Sequence, residues 1–299
     1  VVRATVGINP ADTVFTYRFD RNQFVDGATS SNQSMIRIDN VGAPGASLDL
    51  AVRDNGAPTS GLTGFVSNRN NPNIANPNLI DESSAFAVRW NGPVPQALFQ
   101  RNSFAMIGGV GQEGVEFVNA DASAQTNFHF IENTLTANTA ADAIGVRLDV
   151  AGPSTVRILG NQTLNTPGRP FQGFIMNGLR AQAYQLTLRN AGNIVALEDN
   201  EIQMFNDDSI GFNFPFIGGS TDLFVNGNLI QFNQQFTSVG EGERGFAFGP
   251  VAGKVFLHGT RNNSVVYAQP DAFSIAFPNP FIGPHEGTII INNQQVPTP

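Results

Sequence analysis

Phe128-His129-Phe130-Ile131-Glu132-Asn133 reads apolar, any, apolar, two residues, asparagine, and the same phrase returns along the whole chain. It stands at Tyr17 to Asn22, Leu50 to Asn55, Ala97 to Asn102, Val156 to Asn161, Val195 to Asn200 and Leu223 to Asn228. A longer copy runs from Val255 and Leu257 to Asn262, and the last runs from Thr288 to Asn293. From Asn102 onward, successive asparagines lie 28 to 39 residues apart; earlier intervals are 33 and 47. A fixed phrase at a period of a few tens of residues is the mark of a solenoid, with insertions absorbed by loops.

A second strand precedes most copies: Met35 to Ile38, Phe86 to Val88, Val115 to Phe117, Ile144 to Val146, Gly173 to Met176, Gly211 to Phe214, Gly245 to Phe248 and Phe273 to Phe277. Both strands alternate apolar with small or polar residues, the period of a strand with one buried face. Clusters such as Val41 to Pro44 and Ala151 to Pro153 separate them. No sustained helical stripe is present. Two or three strands per repeat without a helix leave one economical geometry: the chain coils, and each strand pairs in parallel with its equivalent about 4.8 Å along the axis. The 25 Phe residues fit an interior of stacked apolar files. Asparagine suits the corners, because it tolerates left-handed backbone and its amide can bond the amides above and below. The ladder expected is Asn22, Asn55, Asn102, Asn133, Asn161, Asn200, Asn228, Asn262 and Asn293. The apolar residues before them, Phe19, Phe99, Phe130, Ile158, Leu197, Val225, Leu257 and Ile290, are expected in one buried file.

These repeats resemble the right-handed parallel β-helix superfamily, which includes autotransporter passenger domains, adhesins, phage tailspikes and pectin-degrading enzymes. The Phe-x-x-Asn form at Phe19, Phe99 and Phe130 is also similar to repeats of the chlamydial polymorphic membrane proteins, although their Gly-Gly-Ala-Ile half is missing. The resemblance implies an all-β, right-handed solenoid of about eight to nine coils, with residues 1–299 as one domain. One fold of this kind hosts unrelated functions.

Composition bears on function. The 299 residues contain no cysteine, so a disulfide scaffold is excluded. Charged residues are 13 %, Lys254 is the sole lysine and the net charge is −8. Binding of nucleic acid rests on basic clusters, which this chain lacks. No apolar run is long enough to span a bilayer as a helix. The start at Val1-Val2 suggests a segment of a longer, exported precursor, extracellular or on a cell surface. The copy from Thr288 to Val296 is at full strength and is followed by Pro297-Thr298-Pro299, so the ends are expected to meet the rest of a precursor or a second copy, head to tail.

Catalysis of the pectin-degrading kind needs clustered carboxylates or a basic residue beside a carbonyl. The best constellation is Asp207-Asp208, with Glu198-Asp199 one strand earlier and His258-Gly259 further on. The paired aspartates and the His-Gly dipeptide resemble elements of polygalacturonases, but the Asn-Thr-Asp and Arg-Ile-Lys elements are absent. A solvated polar turn explains the same residues. His129 should face outward between Phe128 and Phe130, and His285 stands alone. No metal-ligand spacing or cofactor motif is present. Asn32, Asn161 and Asn262 head glycosylation-type triplets, yet two of them are ladder positions. Residues 68–78, rich in Asn, form a polar insertion or an adhesive surface. The expected role is therefore a rigid, adhesin-like or filament-forming scaffold, with surface glycans as candidate ligands. The alternative is a polysaccharide-active enzyme or tailspike-like depolymerase.

Overall fold

A computed structural model of the chain describes residues 2–6, 13–22, 34–40, 45–57, 62–69, 84–161, 173–206, 208–233, 244–258, 263–267, 286–291 and 294–295. Among these residues there is no helix, and the strands wind into a parallel β-solenoid. One coil shows the plan. Glu113–Asn119 lies on a first face, Thr126–Ile131 on a second and Thr134–Ala141 on a third. Each pairs in parallel with its equivalent in the next coil: Ile144–Val150, Ser154–Leu159 and Phe174–Leu179. The third face is the strand that the repeated phrase does not spell. Gly173 to Met176 was expected beside the first-face strands; Phe174 instead pairs with Leu135 and Ile202 on the third face.

The third face stacks seven strands, from Phe65–Arg69 to Ser264–Tyr267, which makes six full turns from first to last. That is slightly fewer than eight to nine coils. The outermost strands, Val14–Asp20 and Glu286–Ile291, have no third-face companion in their coil among the described residues. From one coil to the next the described strands pair in parallel on all three faces. An antiparallel pairing closes the far edge of the second face, where Gln294 and Gln295 pair back on Ile291 and Ile290.

Alternation directs the inner side chains. Along the second face, Phe19, Val52, Phe99, Phe130, Ile158, Leu197 and Val225 are register partners, and all but the half-buried Phe19 are buried. Leu257 and Ile290 do not join this file. Leu257 pairs with Leu223, and Ile290 pairs with Phe256. At Leu257 the phrase carries one extra residue before its asparagine, so its spacing does not fix the file. At Ile289-Ile290-Ile291 a continuous apolar run gives alternation nothing to read. The segment 273–277 lies outside the described residues. Aromatic rings continue from coil to coil: Tyr184 stacks on Phe212 at 4.9 Å, Phe212 on Phe246 at 5.1 Å, and Phe214 on Phe248 at 5.0 Å. Equivalent positions in parallel strands place like rings at near stacking separation.

Candidate functional site

The asparagines meet at the corner between the second and third faces. Each uses its amide in one way. Asn102 donates from its backbone N and from Nδ2 to Oδ1 of Asn133, both at 2.9 Å, and donates again from Nδ2 to the Val52 carbonyl at 2.9 Å. The same bonds link Asn22 to Asn55, Asn55 to Asn102, Asn133 to Asn161, Asn161 to Asn200, and Asn200 to Asn228. The carbonyl accepting from each belongs to the apolar residue three before the previous asparagine: Phe19, Val52, Phe99, Phe130, Ile158 and Leu197 in turn. That bond gives the spacing within the phrase its physical reason. Interior asparagines from Asn55 to Asn228 are at most 1 % exposed, so their donors and acceptors must be met inside.

Two details differ from the sequence reading. Asn228 bonds to Asn263, at 2.9 Å, where Asn262 was expected; Asn262 and Asn293 lie outside the described residues. The left-handed backbone is also not at the asparagines. It falls one residue earlier, at Arg21, Asp54, Arg101, Glu132, Gly160, Asp199 and Gly227, with φ between 52° and 65°. The bend there turns the preceding side chain outward and leaves the asparagine to point inward. From Arg21 to Glu132 the outward side chains alternate in charge. Arg101 Nε donates to Asp54 Oδ1 at 2.6 Å, and its Nη1 lies 3.7 Å from Glu132. The Arg101 guanidinium holds the Asp54 carboxyl below its ordinary range. These groups are exposed, and such pairs contribute little to stability.

The described catalytic candidates stand on different parts of the coil. Asp208 stands in the corner between the third and first faces with φ 56°, and Asp207 lies outside the described residues. His258 ends a second-face strand, where Nε2 contacts Asp222 Oδ1 at 2.9 Å and the ring stacks on Phe224 at 4.7 Å. Glu198, also on the second face, accepts from Asn226 at 3.2 Å. Among the described residues no three His, Cys, Asp or Glu side chains are grouped to hold a metal ion. Asn161, a glycosylation-type asparagine, is fully buried in the ladder. His129 is half-buried, and burial followed by the charge of Arg157 lowers its pKa.

A different cluster carries the chemistry that the sequence did not single out. On the outward side of the first face, Glu113 and Glu116 keep only 3 % of their side chains exposed. Arg147 Nη1 lies 3.1 Å from Glu113 and 3.9 Å from Glu116, Arg89 lies 3.2 Å from Glu116, and Ser84 Oγ donates to Glu113 at 3.1 Å. Desolvation, then repulsion from Glu113, raises the Glu116 pKa from 4.5 to about 7, against the pull of both arginines. In the sequence Val115 to Phe117 is one more alternating strand, and alternation carries no signal that its outward acid is buried.

No family model matches the chain, and no curated protein or solved structure matches it either. The parallel β-solenoid stands on register and hydrogen bonding, while no match supports the narrower likeness to autotransporter passengers or chlamydial repeats.

Proposed function

We propose that the chain is a structural β-solenoid of a cell surface or extracellular space: a rigid, adhesin-like or filament-forming scaffold that carries loops of variable length. The observation that supports this is the unbroken amide ladder from Asn22 to Asn263. Strand pairing alone lets neighbouring coils slide by two residues, whereas a buried asparagine in each coil penalises every register but one. Six turns at about 4.8 Å each give a stiff core roughly 30 Å long. Contacts with a second copy or with the rest of a precursor, and glycan binding by the loops, belong to the same reading.

A second reading, a polysaccharide-active enzyme, draws on one observation. Burial raises the Glu116 pKa to about 7, so it holds its proton up to near that pH, as a general acid requires. Small-angle scattering with a cleavage assay on uronic-acid polymers separates the two. The scaffold reading expects a rod-like particle without cleavage. A monodisperse chain that cleaves such a polymer, and loses that activity on Glu116→Gln or Asp208→Asn, would replace the scaffold with the enzyme.

A further inference from the structure

The outward sides of the three faces differ in charge. On the first face Glu116 and Arg147 are register partners, and on the second Arg157 and Glu198 stand outward. The third face is different. Over the strands from Ser103–Val110 to Leu229–Phe232, two adjacent outward rows hold no charged side chain among the described residues. One row runs by register from Ala105 through Thr136, Ile175 and Gln203 to Gln231. The next runs from Ile107 through Asn138 and Asn177 to Asn206. In a chain of net charge −8 this is a neutral strip. Its amides are already aligned. Asn206 Nδ2 donates to Asn177 Oδ1 at 2.6 Å, and Asn177 Nδ2 to Asn138 Oδ1 at 3.3 Å. Each bond uses one N–H and one lone pair, so every amide keeps further capacity toward solvent. Ile107 and Leu179, 40 % and 50 % exposed, add apolar surface on the same strands.

We infer that this strip binds a neutral polysaccharide, an extended β-linked chain laid along the solenoid axis. The inference rests on the scaffold reading and moves its glycan from the loops to the wall. Charge selects the class of ligand. A net charge of −8 repels uronic-acid polymers and nucleic acid, whereas a neutral hydroxylated polymer meets no repulsion. Shape selects a thin one. Strands about 4.8 Å apart and rows roughly 7 Å apart make a strip on the order of 200 Å², against about 800 Å² a side in a stable protein interface. An extended peptide adds to the edge of a sheet, not to its face. An extended glycan fits both limits. Its hydroxyls meet the amides of Asn138, Asn177 and Asn206, and its C–H faces lie on Ile107 and Leu179, the pairing of few polar groups with apolar surface that fixes a ligand's orientation. Successive coils offer amides one step further along the axis, so contacts add along the polymer.

Titration calorimetry of the 299-residue chain with cellohexaose, mannohexaose and chitohexaose, and with polygalacturonate as the acidic control, tests this. At least one neutral glycan should bind, with an affinity that salt leaves unchanged. The double variant N138A/N177A should weaken binding by about tenfold or more, because two polar partners are lost. Its melting curve should not move, since both amides are exposed. Ile194→Ala, exposed on the second face, should bind as the parent chain does. No binding to any of the three, a preference for polygalacturonate, or binding indifferent to N138A/N177A would overturn the inference. Self-association abolished by Thr136→Lys would assign the face to a second copy and overturn it as well. A rod that binds none of these glycans keeps the scaffold and loses the ligand. Binding at this strip followed by cleavage of the bound chain keeps the ligand and replaces the scaffold.

Discussion

The asparagine of the repeated phrase works through three bonds at once, two to the next coil and one to the carbonyl of the coil before. Replacing it strands buried groups on both sides. Asn133→Ala or Asn200→Ala should therefore cost on the order of 1–3 kcal/mol in denaturant unfolding. An exposed amide row on the third face supplies the control. There Asn206 donates to Asn177 at 2.6 Å and Asn177 to Asn138 at 3.3 Å. Asn138→Ala should stay within about 0.5 kcal/mol, because water replaces the lost partner. Equal costs at buried and exposed rows would remove burial from the explanation. Tyr184 is the opposite case. Its ring stacks in the core, but its hydroxyl is buried without a partner among the described residues, and burial raises its pKa well above 10. Tyr184→Phe should leave stability unchanged or raise it by about 1 kcal/mol; a clear loss in the melt would show that the hydroxyl is satisfied.

At the scale of an element, the first face combines tight backbone contact with buried charge. A Cβ on Gly145 would stand 2.5 Å from the Ala183 carbonyl and 2.7 Å from the Phe174 ring, so this column of the strand must stay small for the third face to pack against it. Gly145→Ala should cost about 1–3 kcal/mol by overpacking, and a neutral thermal melt would contradict that packing. On the outward side of the same strands, Glu116 has a folded pKa near 7 against 4.5. The folded state thus binds the proton more tightly than the unfolded state. Its contribution to stability is complete below about pH 4.5 and is lost as pH rises toward 7. Melts between pH 5 and pH 8 should fall with pH, and Glu116→Gln should flatten that fall. A slope unchanged by the variant would assign it to other groups.

For the whole molecule, each coil is supported by its two neighbours, so protection should be greatest in the middle and least at an open end. Hydrogen exchange should be slower in Thr126–Ile131 than in Val14–Asp20, whose inward rings are only half-buried. The alternating ridge at Asp54, Arg101 and Glu132 should add little to global stability, since its charges are exposed.

Much of this architecture is written in local order. Alternation at Phe128 and Phe130 places both rings inside, and Asn133 three residues later marks the corner, because strand period and amide bonding are properties of a few consecutive residues. What the phrase could not convey depends on residues a whole turn away. Asn263 rather than Asn262 meets Asn228 because the intervening coil adds a residue that only pairing across 35 positions reveals. The bend sits at Arg101 instead of Asn102 because the inward amide needs Asn133 and Val52 on either side. Phe174 lies on the third face because Leu135 and Ile202 flank it. Glu113 and Glu116, ordinary acids in the chain, become a buried pair through Arg89 and Arg147, which neighbouring coils bring to them. Local periodicity sets which side of a strand faces inward; the stacking of coils along the axis decides what each side chain then meets.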